Sequence, residues 1–248
     1  TKSGYRYRKK TGDYVKSVWC TIGGRIYRFD EKGYVKTGAF SWSGNKYYAD
    51  QQGRIYVKKF LKKEDFSVSS WSGGTTTQLA IEPENAEYKD RDFLWRVSSA
   101  TVDLEESVFT PLPDYERLIM TLAGEMELSH NGGDMLRLPK LKPHSFDGAD
   151  KTVSRGKVID FNLMMRKGQC EGILRLLPET GNMTAMNLTE GILYCFKGSL
   201  SVFAEGVGEK SLSEGNALKF TGLSPEVRLS WRTQPDTIAV FAGIINNN

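Results

Sequence analysis

The chain has 248 residues, 39% of them hydrophobic and 26% charged, with a mean hydropathy of −0.43 and a formal net charge of +4. That length suits one large β domain or two to three small ones, and no apolar run approaches the roughly 18 residues that a membrane helix needs. Three cysteines (Cys20, Cys170 and Cys195) are odd in number and lack a CxxC pair; this argues against a disulfide framework or a thiolate zinc site and predicts buried, inert thiols.

Residues 1–63 hold 16 Lys/Arg against 4 acids, whereas residues 64–248 hold 18 against 26. Two modules with different surfaces are expected, the first basic enough for an anionic partner. Within it, Gly4, Gly24 and Gly44 recur at one spacing, as do Tyr7, Tyr27 and Tyr47. Asp30 and Asp50 follow the second and third tyrosines, and Gly33 matches Gly53. The pattern Gly-x-x-Tyr-x-x-Asp-x-x-Gly reads as strand, Asp/Gly turn, strand. Units this small bury their aromatic faces only by stacking, as a short solenoid of β-hairpin repeats.

These residues, best seen in Gly44–Gly53, resemble the cell-wall-binding repeats of Gram-positive surface proteins, of the choline- and glucan-binding type, over about residues 3–58. The resemblance implies contact with an anionic cell-wall polymer through residues 1–63. Ala39 and Lys46 stand where choline-binding members place tryptophans, and a lysine repels a quaternary ammonium, so choline is not the expected ligand. A plainer alternative is that Tyr27, Phe29, Tyr47 and Tyr48 only glue hairpins together. Aromatics that recur with a structural period do not make a stacking platform for bases, which argues against nucleic acid.

From Phe66 onward the chain reads as short strands, such as Leu118–Leu122 and Ile238–Phe241, with no competing 3.6-residue period. Leu118 to Gly124 is followed by Phe146, and Ile192 to Gly198 by Phe220, an echo offset by 74 residues. Two small barrels are expected, over residues 64–168 and 169–248. In Asp160-Phe-Asn-Leu-Met-Met-Arg166, period two places Asp160, Asn162 and Arg166 on one face and Phe161, Leu163 and Met165 on the other. With Trp71–Gln78 and Phe93–Ala100 this predicts a polar-lined pocket. A sandwich strand with a solvated outer face has the same alternation.

The residues Trp71, Gly74, Thr76 and Gln78, then Phe93, Trp95, Arg96, Ser98 and Ala100, then Phe109, Pro113, Arg117, Leu122 and Gly124, then Phe146, Asp150, Gly156, Val158, Asn162, Met164 and Arg166 resemble the HutD/Ves family in order and spacing. Gln78 replaces a usual acid and Asp114 a usual glycine. The resemblance implies an all-β fold of two tandem cupin-like barrels (a bicupin) after the repeats. It also implies metal-free binding of a small carboxylate metabolite such as urocanate or formylglutamate, and a regulatory role in histidine utilisation.

On this reading Arg96, Arg117 and Arg166 offer guanidinium forks to a carboxylate. Trp71 and Trp95 wall the pocket, while Thr76, Gln78, Ser98 and Asn162 orient the ligand. Asp160 either completes that site or pairs internally with an arginine to hold the barrel register. The two histidines read as surface or capping residues, His130 in an Asn-Gly-Gly turn and His144 beside Pro143. Metal-dependent cupins need about three histidines and a carboxylate, so no metal is expected. With no Gly-x-Ser-x-Gly elbow and no phosphate loop, neither a cofactor nor a nucleophile is expected. Two rival readings stay open: a metal-independent isomerase or lyase using Asp160 with Tyr115 or Glu116, and a cell-envelope attachment protein acting through residues 1–63. The HutD/Ves resemblance points inside the cell and the repeats point outside it, and a homodimer is left open.

Overall fold

The computed structural model describes residues 4–23, 25–43, 45–204, 208–223 and 227–247; Gly24 and Gly44 of the repeat lie outside them, as does the side chain of Lys46. All regular structure among the described residues is β-strand, apart from single 3-10 turns at Lys63–Asp65 and Tyr88–Asp90.

In the repeats, Asp30 Oδ1 accepts hydrogen bonds from the backbone N–H groups of Lys32 and Tyr34, both at 2.9 Å. Asp50 Oδ1 does the same for Gln52 and Arg54. Each aspartate thereby folds a turn, which Gly33 and Gly53 complete at φ of +84° and +81°. Trp19 packs on Phe40 and Tyr47, while Arg28 lies over Trp42 and Arg6 over Tyr14. Much of the aromatic surface is thus spent within the module. The strand Ile55–Leu61 pairs with Ile26 and with Tyr48 and Ala49 on the repeat side. It also runs along Ala217–Thr221, so residues 1–63 share a strand with the sheet of residues 169–248.

Four sheets make up the rest. In the first half, the large sheet runs Pro143–Asp147, Tyr115–Gly124, Val158–Arg166, Trp95–Val102, Gly74–Glu82, Ser67–Trp71. The small one runs Leu136–Leu138, Met126–His130, Thr152–Arg155, Glu106–Val108. The second half repeats the order. Its large sheet runs Ala217–Thr221, Glu190–Lys197, Ile238–Asn246, Cys170–Leu176, and its small one Gly208–Ser213, Ser199–Ala204, Arg228–Thr233, Thr180–Thr184.

Even the irregularities match. The register slips between Thr121 and Ala123 in one half and between Cys195 and Lys197 in the other, which is the 74-residue offset. Gly124 and Gly198 follow these bulges at φ of +81° and +80°, a conformation that side chains resist.

The two large sheets pack face to face through Trp95, Val97, Phe161, Leu163, Ile192 and Val240, all fully buried. Each half has its own interior. That of the second half is hydrocarbon, built on Leu193, Leu218, Phe220, Leu229 and Phe241. That of the first is only partly so.

Candidate functional site

Strand parity assembles the site. Across the first large sheet Arg96 sits beside Met164, Met164 beside Arg117, and Arg117 beside Phe146. The next row is Gln78, Ser98, Asn162, Ile119 and His144, and the next Thr76, Ala100, Asp160 and Thr121. Residues opposite one another in a ladder share a face, and this face looks into the first half's interior.

Arg117 is only 6% exposed. Its guanidinium lies 4.9 Å from the ring centres of both Phe109 and Phe146, and its Nε is buried without a hydrogen-bond partner among the described residues. Two further buried polar atoms are equally bare, Asn162 Oδ1 and Thr121 Oγ1. Arg96 is better provided for: Nε donates to Gln78 Oε1 at 2.7 Å, Nη1 to Ser98 Oγ at 3.1 Å, and the group lies 4.3 Å from the Tyr88 ring centre. Burial pulls both arginines down to about 10.

Asp160 is buried in the same face but makes no ion pair with either arginine among the described residues. Burial pushes its carboxyl up to about 7, against the pull of Arg117, a backbone N–H from Ala100, and Arg96. An internal Arg–Asp lock is therefore not what occupies the arginines. Native interiors rarely leave so many polar groups bare unless water or a guest completes them.

This domain matches the HutD family over residues 63–239. The chain belongs to the HutD family. It is 28% identical over 149 residues to Protein Ves of Cronobacter sakazakii, covering 57% of this chain and 77% of that one. A conserved protein of unknown function from Pseudomonas aeruginosa PAO1 superposes with a TM-score of 0.67 at 21% identity, covering 77% of this chain and all of the other. HutD from Pseudomonas fluorescens SBW25 gives 0.65 at 19% identity, with the same coverage of 77% and 100%. More distant neighbours are cupin-like, so the fold of this HutD domain is all-β and cupin-like.

Not every residue expected in the HutD site lies there. Trp95 neighbours Arg96, and adjacent residues of a strand point to opposite faces. It is fully buried between the large sheets, its Nε1 donating to Glu190 Oε1 at 3.1 Å, so it does not share the face of Arg96 and Arg117. Trp71 is 39% exposed at the end of an edge strand and leans over Gly73 of its own hairpin.

Arg166 is spent on structure. It donates to the carbonyls of Phe93 and Arg91, to the Tyr115 hydroxyl and to Asp92 Oδ1, all at 2.9–3.0 Å. It ties the 91–93 loop to the strand end and has no fork left for a ligand. Thr76, Gln78, Arg96, Ser98, Arg117, Asp160 and Asn162 do share the interior face, Thr76 and Gln78 half-buried and the rest buried.

The histidines correct the expectation of surface or capping roles. His130 Nε2 and His144 Nε2 are 3.0 Å apart, the rings stacked and half-buried beside Phe146. His130 Nδ1 bonds Thr152 Oγ1 at 2.9 Å. Burial, then the neighbouring His130, lowers the His144 pKa. The pair offers two nitrogens, and among the described residues no three His, Cys, Asp or Glu groups come together to hold a metal. Thr121 and Tyr88 are residues that sequence reasoning passed over, while Phe109 and both histidines were noted in the chain but not placed in the site. The alternation of His144 with Phe146 was the available signal. Cys170 and Cys195 are buried, and burial raises their thiols to about 11 and about 12, whereas Cys20 is half-exposed.

Proposed function

We propose that this HutD-family chain binds a small carboxylate metabolite inside its first half, without a metal, and that binding serves regulation in histidine utilisation. The observation that carries this reading is the buried, unpaired guanidinium of Arg117 between Phe109 and Phe146. A carboxylate would accept from it and relieve the desolvation that an unpaired buried cation suffers. Asn162 Oδ1 and Thr121 Oγ1 would then select a guest that also carries a donor.

The test is thermal unfolding and calorimetry with formate, urocanate and N-formylglutamate, formate first because the Pseudomonas fluorescens relative was solved in a formate condition. A saturable rise in Tm that disappears in Arg117→Met supports the reading, and no shift with any of the three overturns it.

We read the two repeated pairs of sheets as the two barrels of a bicupin, and the hairpins of residues 1–63 as a solenoid that reaches an anionic wall polymer. Pull-down of purified wall material by the full chain, lost when the exposed Tyr5, Tyr7, Tyr14 and Trp42 are replaced together, tests the latter. A second function has one observation in its favour. A carboxyl held near 7 suits general acid–base work, and Asp160 has that value. Turnover of any of these acids, followed by NMR and lost in Asp160→Asn, would make the site catalytic.

A further inference from the structure

The seam between the 19–28 hairpin and the C-terminal sheet holds a half-open cavity of about 120 Å3. Arg25 and Ile26 line it from the hairpin, and Thr189, Glu190, Thr221 and Asn246 from the sheet. Glu190 is 5% exposed. Its Oε1 accepts from Trp95 Nε1 at 3.1 Å and from Asn246 Nδ2 at 2.9 Å. Its Oε2 and the Oδ1 of Asn246 are buried with no partner among the described residues.

Burial raises the Glu190 pKa against the hydrogen bond from Asn246, and a proton on Oε2 would satisfy that oxygen without a guest. Lys219, the cation acting on Glu190, is engaged by Glu82 at 3.2 Å and Glu84 at 3.3 Å. Glu82 itself adds negative charge nearby. With the carboxyl ionised, two acceptors without a donor among the described residues suit a guest with several donors and a positive charge. Arg25 lines the same cavity and gives Nη1 to the Leu223 carbonyl at 2.6 Å. One wall is thus acidic and another basic.

We propose that this seam cavity binds a small protonated amine, its N–H groups donating to Glu190 Oε2 and Asn246 Oδ1. Free ammonium and the ammonium end of a small amino acid share that chemistry, and in the second case Arg25 receives the carboxylate. The site is independent of the carboxylate site, because Glu190 and Trp95 lie between the large sheets whereas Arg96 and Arg117 face the first half's interior.

The Trp95 indole N–H rests on Glu190 and reports on the cavity directly. In the full-length protein its NMR signal, assigned with Trp95→Phe, is followed during titration with ammonium chloride and with glycine at ionic strength held constant by sodium chloride. The expected result is a saturable shift, about tenfold weaker in Glu190→Gln. Arg25→Met weakens glycine alone if an amino acid is the guest, and leaves both titrations unchanged if it is free ammonium. A shift that sodium chloride reproduces, or that Glu190→Gln leaves intact, assigns the cavity to water and overturns the proposal. If Glu190→Gln does not fold, Asn246→Ala reads the same loss.

Discussion

The two halves of the domain use one scaffold for opposite interiors. Register places Gly191 where the first half has Arg117, Leu193 for Ile119, Cys195 for Thr121, Leu218 for His144, Ala239 for Asp160 and Phe241 for Asn162. A side chain on either Gly191 or Gly243 would strike the Phe241 ring at under 3 Å. In the second half that ring therefore fills the space over the positions that Arg117 and Met164 hold in the first. The strand order is the same and so are the bulges, yet one interior is sealed with hydrocarbon while the other keeps bare polar atoms. The scaffold itself does not require the polar set.

The largest expected effect is a pH dependence centred on Asp160 of the first half. The Asp160 carboxyl stands at about 7 against an ordinary 3.8. A carboxyl raised by folding favours the folded state below its unfolded pKa and loses that stability as pH rises through the folded one. Stability should therefore fall by about 3 kcal/mol between pH 4 and 7 on account of Asp160, and denaturant curves of Asp160→Asn should lose that part of the fall. Anion affinity should weaken across the same range.

Importing the polar chemistry into the sealed half should be costly. Phe241→Asn leaves a void over two glycines and an amide without a partner, a loss of about 3 kcal/mol by urea unfolding. The matched glycines should respond in proportion to what they meet. A Cβ on Gly124 falls 2.3 Å from the Lys157 carbonyl oxygen, whereas one on Gly198 falls 2.6 Å from the Thr237 hydroxyl, a side-chain atom that moves only by giving up its bonds to the Ser199 backbone. Gly124→Ala should cost about 2 kcal/mol and Gly198→Ala less.

The smallest change in stability should come from Arg117→Met. Without a guest it should unfold within about 1 kcal/mol of the parent, or later, because an unpaired buried charge has been removed. A loss of several kcal/mol would show that the fold needs this arginine after all, and would break the comparison.

Much of this was legible in the chain. Strand-length apolar runs and turn residues showed the all-β fold. The echo from Leu118–Gly124 to Ile192–Gly198 holds down to the bulge, and the repeat aspartates fold the turns their spacing predicted. Alternation in Asp160–Arg166 separated the interior face from the packing face correctly, but the same rule applied to Trp95 and Arg96 would have sent them apart. Grouping both in one pocket followed the motif instead of the pleat. Arg166 failed for another reason. At a strand end, what a guanidinium meets depends on the loop above it, and residues 91–93 are brought there only by the fold.

By itself, then, the order of residues determined which segments become strands, where they turn and which side chains share a face, because these follow from neighbours two to ten positions away. Only tertiary structure decided which of two polar-capable faces is enclosed, and that Arg117 lies between two phenylalanines and acts on Asp160 without an ion pair. It also brought His130 against His144. Those outcomes depend on pairing between strands far apart in the chain, and on the desolvation that appears only once both sheets have closed over them.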